Sequence, residues 1–139
     1  MLFLALNTIV CVGALMPVAI VKLLLPFRGV RRRVDPILNG IAEAWIGANG
    51  WWIAAVARVK WDVRNSADLH RDRWYLVASN HQSWVDILVL QEIFLRRIPM
   101  LKFFLKRELI RVPLIGFAWW ALDFPFMRRH SEEFLRANP

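Results

Sequence analysis

The chain has 139 residues, room for one domain of ordinary size. It is 58% hydrophobic with eight Trp and a formal charge of +8, too apolar for an ordinary soluble domain of this length. Basic charge alone admits nucleic acid, an anionic bilayer or a phosphorylated substrate. The apolar excess selects the bilayer, and a single cysteine, Cys11, excludes a disulfide framework or a cysteine zinc site.

Residues 2–27 are apolar apart from Asn7, Thr8 and Lys22. A run of that length crosses a bilayer core of roughly 30 Å. Arg28, Arg31, Arg32 and Arg33 follow at once, which by the positive-inside tendency places this flank on the cytoplasmic side. A cleaved leader fits poorly, because the basic cluster lies after the apolar run and no small-x-small site follows it. Pro17 and Pro26 predict a kink and a stop. Asp35-Pro36 predicts a second helix, with Asp35 as its cap and Pro36 at its first position. Ile37 to Val59 is apolar and rich in small residues, with Glu43 as its one acid and Asn49-Gly50 as a candidate break. Residues 1–59 therefore read as packed membrane-anchoring helices, with a re-entrant pair in one leaflet and a true second span as the two alternatives.

The composition changes at Lys60. Trp61 to Arg73 mixes acids and bases and should be exposed. Trp74 to Ala78 is a short apolar run of strand formers and predicts a buried strand. Ser79 to Ser83 is a polar break, and Trp84 to Leu95 predicts a buried helix ended by Arg96, Arg97 and Pro99. Met100 to Leu105 predicts a second strand. Lys106 to Arg111 is charged, Pro113 to Leu122 predicts a short helix, and Phe124 to Met127 a third strand weakened by Pro125. Strands alternating with helices give residues 60–139 the pattern of an α/β domain, though a partial one.

The string Asn80-His81-Gln82-Ser83-Trp84-Val85-Asp86 carries the chemistry. His81 suits a general base, and Asp86 suits a carboxylate that orients the imidazole and stabilises its charged form. No Ser or Cys nucleophile accompanies them, so the attacking hydroxyl would belong to the substrate. Five residues of regular helix turn through about 500°, so the pair shares no helical face and His81 must reach back from the loop. A second use competes: Ser83 to Asp86 also fits a capping box, in which Asp86 serves only the helix start.

That string resembles the N-H-x-x-x-x-D block of the glycerolipid acyltransferase family, the 1-acylglycerol-3-phosphate acyltransferases. Phe104-Leu105-Lys106-Arg107-Glu108-Leu109, then Val112-Pro113 and Gly116, is similar to a later region of that family, and so is Leu122-Asp123-Phe124-Pro125-Phe126-Met127-Arg128-Arg129. The resemblance covers roughly residues 74–131. It implies transfer of a fatty acyl group from acyl-coenzyme A or acyl carrier protein to a lysophospholipid hydroxyl at the membrane. His81 would be the base and Asp86 its partner, with no acyl-enzyme, metal or further cofactor. It also implies that the acceptor phosphate is held by Arg129, with Lys106, Arg128 and Arg107 nearby, since a guanidinium can grip phosphate through two bonds. The alternative use of these bases is contact with anionic headgroups. Gly116 and Pro113 should shape a turn. The sequence departs from the family where a glycine that often opens its second block stands here as Asp123. The family's later Pro-Glu-Gly block has no counterpart before Pro139, so the chain reads as an N-terminal part of such an enzyme. A non-catalytic, lipid-binding remnant is the competing expectation. A nucleic-acid partner is not expected, because charge is its only support.

Overall fold

The computed structural model describes residues 2–57, 62–64, 68–80 and 82–128. The chain divides into two compact units, Met1–Leu101 and Lys102–Pro139.

The first unit is built on a helical hairpin. Helix α1 spans Leu2–Leu24 and helix α2 spans Arg28–Ala57. At 1.5 Å per residue they are about 34 Å and 45 Å long. α1 ends where Pro26 bars the preceding residue from helical geometry; the Leu25 N–H makes the last backbone bond, to Val21 at 2.9 Å. α2 opens at once, with the Val30 and Arg31 N–H groups both donating to the Phe27 carbonyl at 3.1 Å. This corrects the expected start at Asp35-Pro36. Pro36 lies inside α2, where its missing N–H removes one helical bond, and the packing of α2 along α1 carries the helix past it. Pro17 and Asn49-Gly50 likewise lie within continuous helix.

The two helices run antiparallel in a register fixed by polar contacts at three levels. Asn7 Nδ2 donates to Asn49 Oδ1 at 2.7 Å and to the Trp45 carbonyl at 3.2 Å. The Trp45 indole N–H donates to Thr8 Oγ1 at 3.1 Å. At the turn, Lys22 Nζ lies 2.9 Å from Asp35 Oδ1, with the lysine side chain almost fully buried. Leu15, Ala19, Val34, Leu38, Ala42 and Ile46 form the apolar seam between these ties, and Phe3 stacks on Trp52 at 4.6 Å near its open end. The outer face of α1 is different. Leu2, Leu6, Ile9, Val10, Leu23 and Leu24 are all more than half exposed, an apolar surface far larger than scattered single residues give. Among the described residues, α1 is the helix long and apolar enough to cross a membrane.

After α2 the chain comes back alongside it. Arg71 Nη2 bonds both Glu43 oxygens, at 2.7 and 2.8 Å, and the Tyr75 hydroxyl accepts the His70 N–H at 2.8 Å. Trp74 to Ala78, expected as a buried strand, is neither. Its backbone is irregular, and Trp74 and Leu76 are each 88% exposed. A strand needs a ladder partner, and among the described residues none pairs with this run. Helix α3, Val85–Phe94, matches the expected helix in place but is half-buried along most of its length rather than buried all round. It packs on α2, where Gly47 and Gly50 leave room for Leu95 and Glu92. Arg96, in left-handed geometry at φ 59°, turns the chain away after it.

The second unit holds strand β1 at Leu105–Lys106, a 3-10 turn at Arg107–Arg111, helix α4 at Ile115–Ala121 and strand β2 at Phe126–Met127. The expected strands at 100–105 and 124–127 thus shrink to two residues each. They pair in parallel, Leu105 with Phe126 and Lys106 with Met127. Pro125 has no N–H to give, but its carbonyl accepts the Leu105 N–H at 2.9 Å, so it sits where a strand tolerates proline. Gly116, in the first turn of α4, lies hard against the 3-10 turn, and a Cβ there would overlap the backbone of Ile110 and Leu109. The architecture is mostly helical with a short two-stranded parallel sheet, consistent with part of an α/β domain.

Candidate active site

The segment 82–86 is a tight N-terminal helix junction. The Ser83 hydroxyl accepts the Val85 N–H at 3.2 Å, and the Ser83 carbonyl accepts the Asp86 N–H at 3.1 Å. Trp84, the residue immediately before α3, already has helical dihedrals and makes no side-chain cap, so the capping falls to Ser83. Asp86 closes the box from the other side. Its Oδ2 accepts the Ser83 N–H at 2.8 Å and the Gln82 N–H at 2.6 Å. The capping use of Asp86 is therefore present. Both bonds end on one oxygen, and they are not the whole of the residue's interactions. A carboxylate pinned by two backbone amides is fixed in direction, as an orienting partner needs to be. His81 lies outside the described residues. The flanking Asn80, Gln82 and Ser83 are exposed and Asp86 is half-buried, so the junction is open to solvent.

The bases expected to meet phosphate belong to the second unit. The parallel register sets Lys106 beside Met127, and Arg107 and Arg128 are the next residues at the carboxyl ends of their strands. Ligands of open α/β sheets bind outside those ends. All three side chains are exposed. Arg129 lies outside the described residues. Asp123 adopts φ 55°, left-handed geometry that favours glycine and that Asp tolerates through local hydrogen bonding. Glycine would adopt this backbone geometry without strain.

Glu92 escaped the sequence reading. Its Oε2 is buried with no hydrogen-bond partner among the described residues, facing α2 at Gly50. Burial pushes its carboxyl above the ordinary value of 4.5. The available signal was a second acid, after Asp86, on a helix whose residues from Ile87 to Leu90 are all apolar.

An acyltransferase family model matches residues 60–137, more than half of the sequence, and the chain belongs to the acyltransferase family. The match takes in the whole 80–86 string and all four candidate phosphate-binding bases. No curated protein and no solved structure matches the chain.

Proposed function

We propose that the chain acts as a membrane-bound acyltransferase of the 1-acylglycerol-3-phosphate type, which moves a fatty acyl group from acyl-coenzyme A or acyl carrier protein to the free hydroxyl of a lysophospholipid. The observation that carries this reading is the family match across residues 60–137, a stretch that contains His81 in its sequence and sets Asp86 in the first turn of α3. His81 takes the proton of the acceptor hydroxyl while that oxygen bonds to the thioester carbonyl carbon. The tetrahedral intermediate then breaks its carbon–sulfur bond, and the proton passes to the departing thiolate. Asp86 fixes the imidazole and offsets its charge. General-base help of this kind contributes on the order of 10²–10⁴-fold. Arg129, with Lys106, Arg107 and Arg128, is assigned to the acceptor phosphate. The hairpin supports a membrane location, where acceptor and product both reside.

His81→Ala should abolish acyl transfer, assayed on the chain in detergent with acyl-coenzyme A and lysophosphatidic acid. Undiminished turnover in that variant removes the base assignment. A second reading, lipid binding without turnover, is favoured by Trp74 and Leu76, each 88% exposed beside the motif. It predicts that the unaltered chain retains lysophosphatidic acid but releases no free thiol from acyl-coenzyme A.

A further inference from the structure

The α1–α2 turn holds an open groove of about 880 Å³ that the acyl-transfer chemistry does not use. Val21, Leu25, Phe27, Val30 and Val34 give it an apolar wall, and Arg32 and Arg33 complete the lining. The wall is open to the surroundings: Phe27 is 67% and Leu25 45% exposed. Gly29 also borders the groove, and a Cβ placed there would meet nothing within 4 Å. From Lys22 to Asp35 there are five basic side chains, Lys22, Arg28, Arg31, Arg32 and Arg33, against the single acid Asp35. That acid is engaged by Lys22 at 2.9 Å. An apolar trough bordered by the Arg32 and Arg33 guanidinium groups complements one kind of molecule, an acyl chain ending in net negative charge.

We propose that this groove binds one anionic phospholipid of the surrounding bilayer, its acyl chain along the Val21–Val34 wall and its phosphate on Arg32 and Arg33. A zwitterionic lipid has the same chain and phosphate, but its ammonium cancels the charge that the arginines select. The inference rests on the membrane placement proposed above, and it concerns a lipid that is held, not turned over.

The test is native mass spectrometry of the full chain in neutral detergent, titrated with phosphatidylglycerol and separately with phosphatidylcholine. One phosphatidylglycerol should be retained at concentrations where phosphatidylcholine is not. Arg32→Gln with Arg33→Gln should weaken retention about 25-fold, from about five-fold for each headgroup-facing arginine at ~1 kcal/mol apiece. Arg28→Gln with Arg31→Gln removes the same charge away from the groove and should weaken it no more than a few-fold. Val30→Trp keeps every charge, fills the trough and should abolish retention. Equal losses for the two arginine pairs reduce the effect to unspecific charge and overturn the site. So does undiminished binding by Val30→Trp, or displacement of the lipid by equimolar glycerol phosphate, which would mark a plain phosphate site. Acyl transfer measured on the same samples keeps the two ideas apart: lipid retention without turnover sinks the enzymatic reading and leaves this one standing.

Discussion

Asp86 is asked to do two things, and two substitutions separate them. Its Oδ2 takes the N–H groups of Gln82 and Ser83 at 2.6 and 2.8 Å, which caps α3. If it also orients His81, its charge matters beyond the cap. Asp86→Asn keeps a carbonyl oxygen of the same reach, so both amide bonds survive in weaker, uncharged form. The stability cost should stay near 0.5 kcal/mol. Asp86→Ala removes both bonds from a solvent-open helix start and should cost about 1–2 kcal/mol. Catalysis should order the variants differently. Either change removes the carboxylate that stabilises the imidazolium in the transition state, so both should lower kcat by on the order of 10²-fold or more, a barrier increase of about 2.7 kcal/mol. The assays are denaturant titration followed by circular dichroism, and thiol release from acyl-coenzyme A under saturating acceptor. A near-native kcat for Asp86→Asn, with Asp86→Ala impaired only as far as it unfolds, would refute the reasoning and leave Asp86 as a cap.

Two further outcomes follow from the packing. Gly116→Ala places a methyl into the backbone carbonyls of Ile110 and Leu109, so the 3-10 turn must move, and stability should drop by about 1–3 kcal/mol in the same denaturant titration; an unchanged midpoint would show that α4 does not sit as described. The folded state holds the Glu92 proton more tightly than the unfolded chain does, so stability should fall as pH rises from about 4.5 through the raised value. Glu92→Gln removes the penalised charge, and thermal melts should place it above the unaltered chain at pH 7, with the gap closing toward pH 4; a destabilised Gln variant at pH 7 contradicts a buried, unpartnered carboxylate.

What the sequence disclosed was local. Apolar length, Pro26 and the spacing of the 84–95 run gave α1 and α3 to within a few residues, because those signals act through neighbouring backbone. The start of α2 was misplaced since Asp35-Pro36 carries a strong capping signal, while the winning term was the long seam from Asn7–Asn49 to Lys22–Asp35, which no short window contains. The strand predicted at Trp74 to Ala78 failed for a related reason. Propensity can favour extended backbone, but a partner strand must come from elsewhere in the fold. At the candidate site, the capping box formed as its spacing predicted, because it is built from neighbouring backbone. The left-handed turn at Asp123 was not legible, since Asp does not announce a positive φ as glycine does.

The hairpin register bears on how the chain meets the bilayer. The four arginines cluster at the closed end of the hairpin, while α2 ends at Ala57 at its open end, three residues in sequence before the acyltransferase match begins. Were both helices to cross the membrane upright, these two ends would face opposite compartments. Cytoplasmic arginines would then require the catalytic stretch to lie outside. The Arg71–Glu43 contact adds an energetic objection. Glu43 lies midway along α2, so an upright hairpin would hold Arg71, with the charged Asp72 and Arg73 beside it, near the bilayer midplane. A charged side chain there costs about 2.5–3.5 kcal/mol on insertion scales, and part of that would recur for each neighbour. A hairpin lying along the cytoplasmic leaflet avoids both costs: the exposed Leu6, Ile9, Val10 and Leu23 side chains of α1 enter the acyl region, and Arg71 stays at headgroup level. We therefore expect single cysteines placed at Arg31 and at Asp72, in a Cys11→Ser background, to react with an impermeant maleimide from the same side of sealed vesicles. Labelling of the two from opposite sides would establish an upright, spanning hairpin and reverse the argument.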